Sequence, residues 1–432
     1  MLRAFTNAFK VPDLRGKIFF TLAIITVYRL GSVIPTPGVD YKALNELLAR
    51  ADAQQGVLPL LNLLSGGALT QLAVFALGIM PYITASIIMQ LLTVVIPRLE
   101  EYQKEGESGI RKITQYTRYL TIVLAILQST GLIALVLNNG LFGGQPSAQL
   151  IPNATLGIKA LMILTLTAGT AFIMWLGELI TARGIGNGMS LLIFTAIIAS
   201  FPGTGYQIFL TNKALFAGVM VMALALIVGV VYIEQGQRRI PVQYAKRQLG
   251  RKVYGGTSTY IPLKVNQAGV IPIIFASSLL TLPQLASSIF GNQTFDRFVQ
   301  RFFLTGDHPY YILTFFILTI FFAYFYTAIT FNPVDVADNM KKYGGFIPGI
   351  RPGRPTAEYL DRVITRITLP GSLYLATLAV IPFFFLGVAG TGAYQLPLGG
   401  SSLLIVVGVA LETMKQVESQ LLQRHYEGFL SA

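Results

Sequence analysis

Long apolar runs recur along the whole chain, separated by short polar segments and by two longer polar segments at 234–264 and 332–366. A run of about 20 apolar residues is long enough for a helix to cross the hydrocarbon core of a membrane. The strands of a transmembrane β-barrel alternate apolar and polar residues, and this chain does not show that alternation. The pattern predicts an all-α polytopic membrane protein with ten spans: Ile18–Ile34, Ala73–Ile96, Tyr119–Leu137, Leu156–Ile180, Met189–Phe201, Leu215–Ile233, Val265–Phe290, Tyr310–Phe331, Ile367–Val388 and Ser401–Leu422.

The segment before the second span, residues 60–72, reads LLNLLSGGALTQL and is apolar but short. Thirteen helical residues reach about 20 Å, whereas the hydrocarbon core is roughly 30 Å thick. Gly66 and Gly67 each weaken a helix by roughly 1 kcal/mol. The sequence predicts a half-helix that enters the membrane without crossing it. From the pattern alone, this half-helix could be a re-entrant support or the frayed start of the second span.

The basic residues fall mostly on one side of the predicted spans. Of the 32 Lys and Arg residues, 23 lie in the segments on the N-terminal side and six on the opposite side. Because basic loops stay in the cytoplasm, both termini are predicted to be cytoplasmic. The basic start of the chain has no small-residue cleavage site after a short apolar core, so it is interpreted as a retained tail. The clustered charge of the two longer loops indicates an anionic partner such as RNA, acidic protein or anionic lipid.

The sequence lacks the motifs of common enzyme classes. There is no Cys, no phosphate-binding loop, no HExxH and no GxSxG motif, and the two His residues lie far apart in the sequence. We therefore predict no enzymatic activity and no cofactor or metal. Ionisable residues are scarce at the centres of the first nine spans, which disfavours the main alternative, a secondary transporter with broken helices. A membrane scaffold without a pore is a second alternative.

Several strings, collinear over essentially the whole chain, resemble one known family. They are YRLGSVIPTPG (28–38), SGGAL (65–69), ALGIMPYITASIIMQLL (76–92), EGESGIRKITQYTRY (105–119), MWLGELITARGIGNGMS (174–190), GQRRIPVQYAKRQLGRKVYGG (236–256), PLKVNQAGVIPIIFASS (262–278), FNPVDVADNMKKYGGFIPGIRPG (331–353) and GGSSLLIVV (399–407). On these motifs the chain resembles the SecY family, whose members form the central subunit of the bacterial protein-translocation channel.

The resemblance implies a clamshell of ten helices around an hourglass pore, with pseudo-symmetric halves at residues 1–206 and 207–432. An unfolded secretory chain crosses through the pore, or leaves sideways into the lipid of the bacterial plasma membrane. The implied partners are SecE-type and SecG-type small subunits, the SecA ATPase, the ribosome with its RNA, signal sequences, unfolded secretory chains and membrane lipids.

The resemblance also implies roles for individual residues near the pore. A ring of aliphatic side chains would form the constriction, with the half-helix at about 62–72 as a movable plug beneath it. The sixth ring position, near Leu285 or Ala286, is not assigned. The ring residues carried over are Ile79, Ile83, Ile193, Ile274 and Ile405, and the plug residues are Asn62, Ser65, Gly66, Gly67, Ala68, Leu69, Thr70 and Gln71.

Polar residues that join the second and seventh spans are expected to form a lateral gate. The candidates are Thr84, Gln90 and Asn266, and Gln90→Leu is expected to shift the gate equilibrium. If the plug is a marginal helix, alanine at Gly66 and Gly67 is expected to slow its opening. The candidate contacts with SecA and the ribosome lie in the two longer loops: Arg238, Arg239, Lys246, Arg247, Arg251, Lys252 and Arg351.

Overall fold

The computed structural model is dominated by helices that follow one another along the chain. Thirteen helices are present in the described part of the chain, and ten of them overlap the predicted spans. The structure describes residue 9 and residues 11–48, 65–137, 151–152, 155–211, 213–244, 247–249, 252–254, 258–290, 298–299, 309–389 and 400–430.

The ten long helices form where apolar runs predict them, although several begin or end elsewhere. The three short helices are α2 (Tyr41–Leu48), α4 (Pro97–Lys104) and α11 (Pro333–Lys342). The long helices are α1 (Pro12–Gly31), α3 (Met80–Val95), α5 (Glu107–Leu137), α6 (Leu156–Arg183), α7 (Gly188–Thr211), α8 (Lys213–Gln235), α9 (Ile271–Phe290), α10 (Pro309–Thr330), α12 (Arg354–Ala389) and α13 (Gly400–Leu430).

Two of the predicted helix starts are wrong, because a glycine in a left-handed conformation precedes each helix. The second span was expected from Ala73, but α3 begins at Met80, after Gly78 in a left-handed conformation at φ +56°. The seventh was expected from Val265, but α9 begins at Ile271, after Gly269 at φ +61°. A positive φ is incompatible with a right-handed helix, so each helix starts only beyond its glycine.

When a helix must be both long and apolar enough to cross a membrane, fewer spans result than the apolar runs predict. Among the described residues, five helices are long and apolar enough to cross a membrane alone. A sixth span results if α3 and α4 count together, although the chain bends by 100° between them. The helix α12 has 36 residues and is therefore about 54 Å long, well beyond a membrane core.

The two longer polar loops contain β-strands that the apolar pattern did not predict. The strands are β1 (Gln237–Tyr244), β2 (Arg247–Leu249), β3 (Lys252–Tyr254), β4 (Ser258–Lys264) and β5 (Gly345–Phe346). Strand β1 pairs antiparallel with β4 and with β5, while β2 and β3 pair with each other. Since β5 belongs to the second loop, the sheet joins the two loops into one unit.

Two buried clusters account for most of the apolar core, one for each half of the chain. The first is built from residues before 206, apart from Ile274, Ile405 and Val409. The second is built from residues after 207, apart from Ile87. The predicted boundary at 206 falls inside α7, which continues to Thr211.

A bidentate ion pair connects α5 to α6 within the first half. The Arg118 guanidinium donates to both carboxylate oxygens of Glu178, at 2.9 and 2.8 Å. It also donates to the Gln115 side chain at 3.1 Å. Arginine in this forked geometry fixes the orientation of two helices more firmly than a single-point contact.

Candidate functional site

The structure brings the five predicted ring residues to one place. Ile79, Ile193, Ile274 and Ile405 are buried members of the first cluster, each less than a tenth exposed. Ile83 is partly buried and packs against the same cluster. These side chains come from the turn before α3 and from α3, α7, α9 and α13, so both halves contribute. The candidate set is therefore an aliphatic cluster where the halves meet, called the aliphatic ring below.

The described part of the plug is not the half-helix that the sequence predicted. Residues 65–79 form consecutive turns, and Gly66 and Gly67 have φ values of +66° and +90°. A right-handed helix cannot include such residues, so the two glycines serve a left-handed turn instead. Asn62 lies outside the described residues.

The plug packs against two different surfaces. Ala68 is fully buried in the cluster that contains the aliphatic ring. Leu69 and Leu72 are buried in a separate cluster with Leu44 of α2 and Met162 of α6. Ser65 is also buried, and its hydroxyl accepts a hydrogen bond from the Leu69 amide at 3.1 Å. The plug segment therefore packs through Ala68 against the cluster that contains the ring, and through Leu69 and Leu72 against a cluster of first-half residues.

Thr70 and Gln71 contribute the polar part of the plug. Both are partly exposed, and the Thr70 hydroxyl donates to the carbonyl of Gly67 at 3.0 Å. This bond lies within the turn itself and supports it. Of the polar plug residues in the described part of the chain, Thr70 and Gln71 are thus partly accessible, whereas Ser65 is buried.

The segment after α1 fixes the C-terminal end of the plug. The Thr36 amide and hydroxyl both donate to the Leu72 carbonyl, at 2.9 and 2.6 Å, and the Val74 amide donates to the Ile34 carbonyl at 2.8 Å. Pro35 and Ala73 thereby form an isolated β-bridge. The motif YRLGSVIPTPG did not indicate this contact, because strand pairing between short segments has no pattern of its own.

The predicted lateral-gate residues do not join α3 to α9. The Thr84 hydroxyl donates to the Met80 carbonyl at 2.9 Å, a bond within α3. Gln90 is exposed, and its side chain makes no hydrogen bond to α9 within the described parts. Polar spacing along one helix does not reveal whether a side chain faces a neighbour or its own backbone, so a gate role for these residues stays a prediction.

Asn266 lies instead at the junction of α8 and the loop before α9. Its side-chain amide donates to Glu234 at 3.0 Å and to the Gly269 carbonyl at 3.1 Å. Asn266 is buried, so these bonds satisfy both of its N–H donors. They orient the start of α9, which carries Ile274, and they leave the α3–α9 contact to other residues.

Apolar side chains supply that contact. Ile87 of α3 is a buried member of the second cluster, together with Ile273 and Leu280 of α9. Ile83 and Leu91 pack against the same cluster. Their spacing of four residues along α3 places Ile83, Ile87 and Leu91 on one helix face. That spacing was visible in the sequence, but it is shared by ordinary core helices.

The predicted basic contacts lie on the unit that joins the two loops. Arg238 and Arg239 are exposed on β1, while Ile240 and Val242 of the same strand are buried. The Arg239 guanidinium lies over the ring of Tyr260, 4.8 Å from its centre. Arg247 and Lys252 belong to β2 and β3, and Lys246 and Arg251 lie outside the described residues.

Arg351 is held at an exposed turn of the second loop. It lies between Gly349 at φ +83° and Gly353 at φ +99°. The Thr356 hydroxyl donates to the Arg351 carbonyl at 2.9 Å, which ties the turn to the start of α12. The turn is therefore fixed in its backbone, while the guanidinium remains available to a partner.

The unit is held together by its own apolar core. Buried residues from β1, β4, α11 and α12 form one cluster, among them Ile240, Leu263, Met340 and Leu360. Among the described residues, no three His, Asp or Glu side chains lie close enough together to hold a metal ion.

Comparison with known proteins decides the family. The family model for SecY matches residues 73–414. The chain belongs to the SecY family. The protein translocase subunit SecY of Streptomyces galbus is 58% identical over the full length of both chains. The protein of the same name from Mycobacterium tuberculosis strain H37Rv is 55% identical, also over the full length of both chains.

Solved structures of similar fold extend the comparison to distant relatives. A structure described as a protein conducting channel superposes with a TM-score of 0.65 and 19% identity, covering 93% of this chain and 91% of that one. The Sec61 protein of a canine ribosome-channel complex from the endoplasmic reticulum superposes with a TM-score of 0.62 and 18% identity, over the same shares of the two chains. At such identities the likeness establishes the fold of an all-α polytopic membrane protein.

Proposed function

We propose that this chain is the channel subunit of a bacterial protein translocase. It passes unfolded secretory polypeptides across the plasma membrane and releases membrane segments sideways into lipid. Full-length relatives at 55–58% identity carry the name protein translocase subunit SecY. The excess of Lys and Arg on one side of the spans supports a cytoplasmic position for both termini.

The aliphatic ring covered by the plug is the observation that carries this proposal. An aliphatic constriction offers no charge and no hydrogen bond, so it does not retain any particular sequence that passes. Hydrophobic constrictions also disfavour a continuous file of water and ions. A ring with Ala68 packed into the same cluster therefore fits a channel for varied polypeptides that is closed at rest.

The two halves are proposed to move as separate bodies, residues 1–206 and 207–432. Each has its own apolar cluster, and the ring residues Ile274 and Ile405 reach from the second half into the cluster of the first. Separation of the halves would widen the ring, and separation of α3 from α9 would open a path to lipid.

The joined cytoplasmic loops are proposed to dock the ribosome and the SecA motor. Exposed arginines on β1 and beside Gly349 provide positive charge in a fixed geometry. Arginine forms bidentate contacts with phosphate and carboxylate, so the same surface suits ribosomal RNA and acidic protein. Small subunits of the SecE and SecG types are proposed to pack against the exposed apolar helix faces. No phosphate-binding loop occurs in the sequence, so the docked partner supplies the energy.

The experiment is a photocrosslinking test with a stalled secretory chain. A photoreactive residue is placed at Ile83 or Ile193 of the assembled complex in membrane vesicles. We expect crosslinks to the stalled chain from both positions, because the chain must pass through the aliphatic ring. The control position is Leu164 of α6, which is 67% exposed on the outer face of the helix bundle.

The control separates passage through the ring from chance contact. Leu164 is expected to crosslink to lipid or to a small subunit and not to the stalled chain. Equal yields at all three positions, or none at Ile83 and Ile193 with export intact, would exclude a path through the ring.

A further inference from the structure

Arg29, in the last turn of α1, contacts the plug at its N-terminal end. Its guanidinium donates to the Gly66 carbonyl at 3.0 Å. A backbone carbonyl polarised by a charged donor makes a stronger bond than a neutral pair does.

The geometry of Gly66 shows that the approach is close. Gly66 has a φ of +66°, and a Cβ at this position would lie 2.9 Å from an Arg29 nitrogen and 3.0 Å from Cα of Ala196. Ala196 is fully buried on α7, one turn after Ile193 of the aliphatic ring. Gly66 is therefore enclosed between the arginine and the ring helix.

The same turn of α1 also holds the chain beyond the plug. Tyr28 stacks on Phe75 with ring centres 6.0 Å apart, and Gly31 leaves the space that Phe75 fills. With Thr36 bonded to Leu72, the C-terminal end of the plug is attached at several points. In the described part of the plug, Gly66 is attached to α1 by the Arg29 bond.

We propose that Arg29 is the positioning residue that holds the plug closed, by donating to the Gly66 carbonyl. The proposal rests on the proposed channel function and names a determinant of its resting state. Arg29 is only partly buried, so water replaces the carbonyl when the plug leaves. The bond is thus strong enough to favour the closed state and reversible enough to permit opening.

The test uses the absence of cysteine from the sequence, which makes any introduced thiol unique. Ser65→Cys places a thiol at a position that is 1% exposed beside Gly66. The assembled complex is reconstituted in vesicles without substrate, and the rate of modification by a membrane-impermeant maleimide is measured. In Arg29→Gln the rate is expected to rise about tenfold or more, the equilibrium shift that loss of one charged hydrogen bond produces.

Two further variants identify the cause of any rise. Arg29→Lys keeps the charge without the forked geometry, so an intermediate rate is expected. Lys42→Gln removes the same charge from the exposed surface of α2 and is expected to leave the rate unchanged. If the Arg29→Gln complex does not assemble, the Arg29→Lys complex alone tests the proposal. A modification rate in Arg29→Lys equal to that of the parent then overturns it.

A second thiol distinguishes plug release from general loosening. Thr319→Cys on α10 is fully buried, and the Thr319 hydroxyl donates to the carbonyl of Phe315 of the second cluster, which contains no plug residue, so this thiol is expected to stay unmodified in Arg29→Gln. Equal acceleration at both thiols, or a rate at Ser65→Cys within twofold of the parent, overturns the role of Arg29. Export by the parent complex is measured in parallel. Failure of export contradicts the channel function, whereas an unchanged thiol rate contradicts only the Arg29 contact.

Discussion

Gly66 and Gly67 are neighbours in the sequence but have different surroundings. Both hold positive φ values, which cost an L-residue with a side chain roughly 1–2 kcal/mol. A Cβ at Gly66 would meet Arg29 and Ala196, whereas nothing lies within 4 Å of a Cβ at Gly67. Gly67 is therefore needed only for the backbone conformation. Gly66 is needed for the conformation and also because Arg29 and Ala196 approach it closely.

This difference predicts unequal effects of alanine at the two positions. Gly67→Ala strains the closed plug by about 1 kcal/mol, which is expected to raise the idle ion conductance of the complex about fivefold. Gly66→Ala adds a clash to the same strain, so a larger increase is expected. Conductance of the reconstituted complex in planar bilayers measures both. Reduced conductance in either variant would support the helical plug expected from the sequence and contradict the turn.

At the scale of elements, the sequence predicted the helices better than the segments that begin and end them. Apolar length alone located the ten long helices, because a membrane span requires it. The left-handed turns at Gly66, Gly67, Gly78 and Gly269 were missed, because glycine weakens a helix as readily as it ends one. The β1–β5 pairing was missed since it joins segments about a hundred residues apart, with no pattern that marks the partner.

The candidate site shows the same difference between what the sequence predicts and what only the structure shows. The ring residues are carried over from the family motifs, and the structure places all five at one cluster. The polar gate residues stay a prediction, because a hydroxyl can bond within its own helix, as Thr84 does, and the sequence does not show which bond it makes. The apolar face at Ile83, Ile87 and Leu91 was visible in the sequence, but only packing shows which neighbour it meets.

The α3–α9 contact predicts which substitutions change the lateral gate. Ile87→Ala removes buried apolar volume from the α3–α9 contact, which must separate for the lateral gate to open. In well-packed cores such truncations lower the free energy of unfolding by about 2–5 kcal/mol. We expect this variant to export reporters with defective signal sequences. Gln90→Leu, which alters an exposed side chain of the same helix, is expected to leave selectivity unchanged. Export assays in cells compare the two variants. Relaxed signal-sequence selectivity in Gln90→Leu alone would support the polar gate predicted from the sequence.

At the scale of the whole molecule, the sheet joins the surfaces of the two longer loops into one body. Strand β1 follows α8, β4 precedes α9, and β5 lies between α11 and α12. Force applied by a partner at this surface therefore reaches α8, α9 and α12 together. Leu360 and Ile364, members of the cluster in the joined loops, lie on α12, which also carries Leu375 of the second cluster, so one helix links the two apolar cores.

A salt titration of ribosome binding tests this surface. Each arginine that neutralises an RNA phosphate releases counterions on binding, so the logarithm of affinity falls linearly with the logarithm of salt concentration. Arg238→Gln, Arg239→Gln and Arg351→Gln are each expected to weaken binding and to reduce the slope by about one. Lys159→Gln, at the start of α6 on the opposite side by the charge asymmetry, is the matched control and is expected to keep the slope. A slope that falls with Lys159→Gln would indicate that the chain has the opposite orientation in the membrane. A slope unchanged in all three arginine variants would show that RNA binds elsewhere.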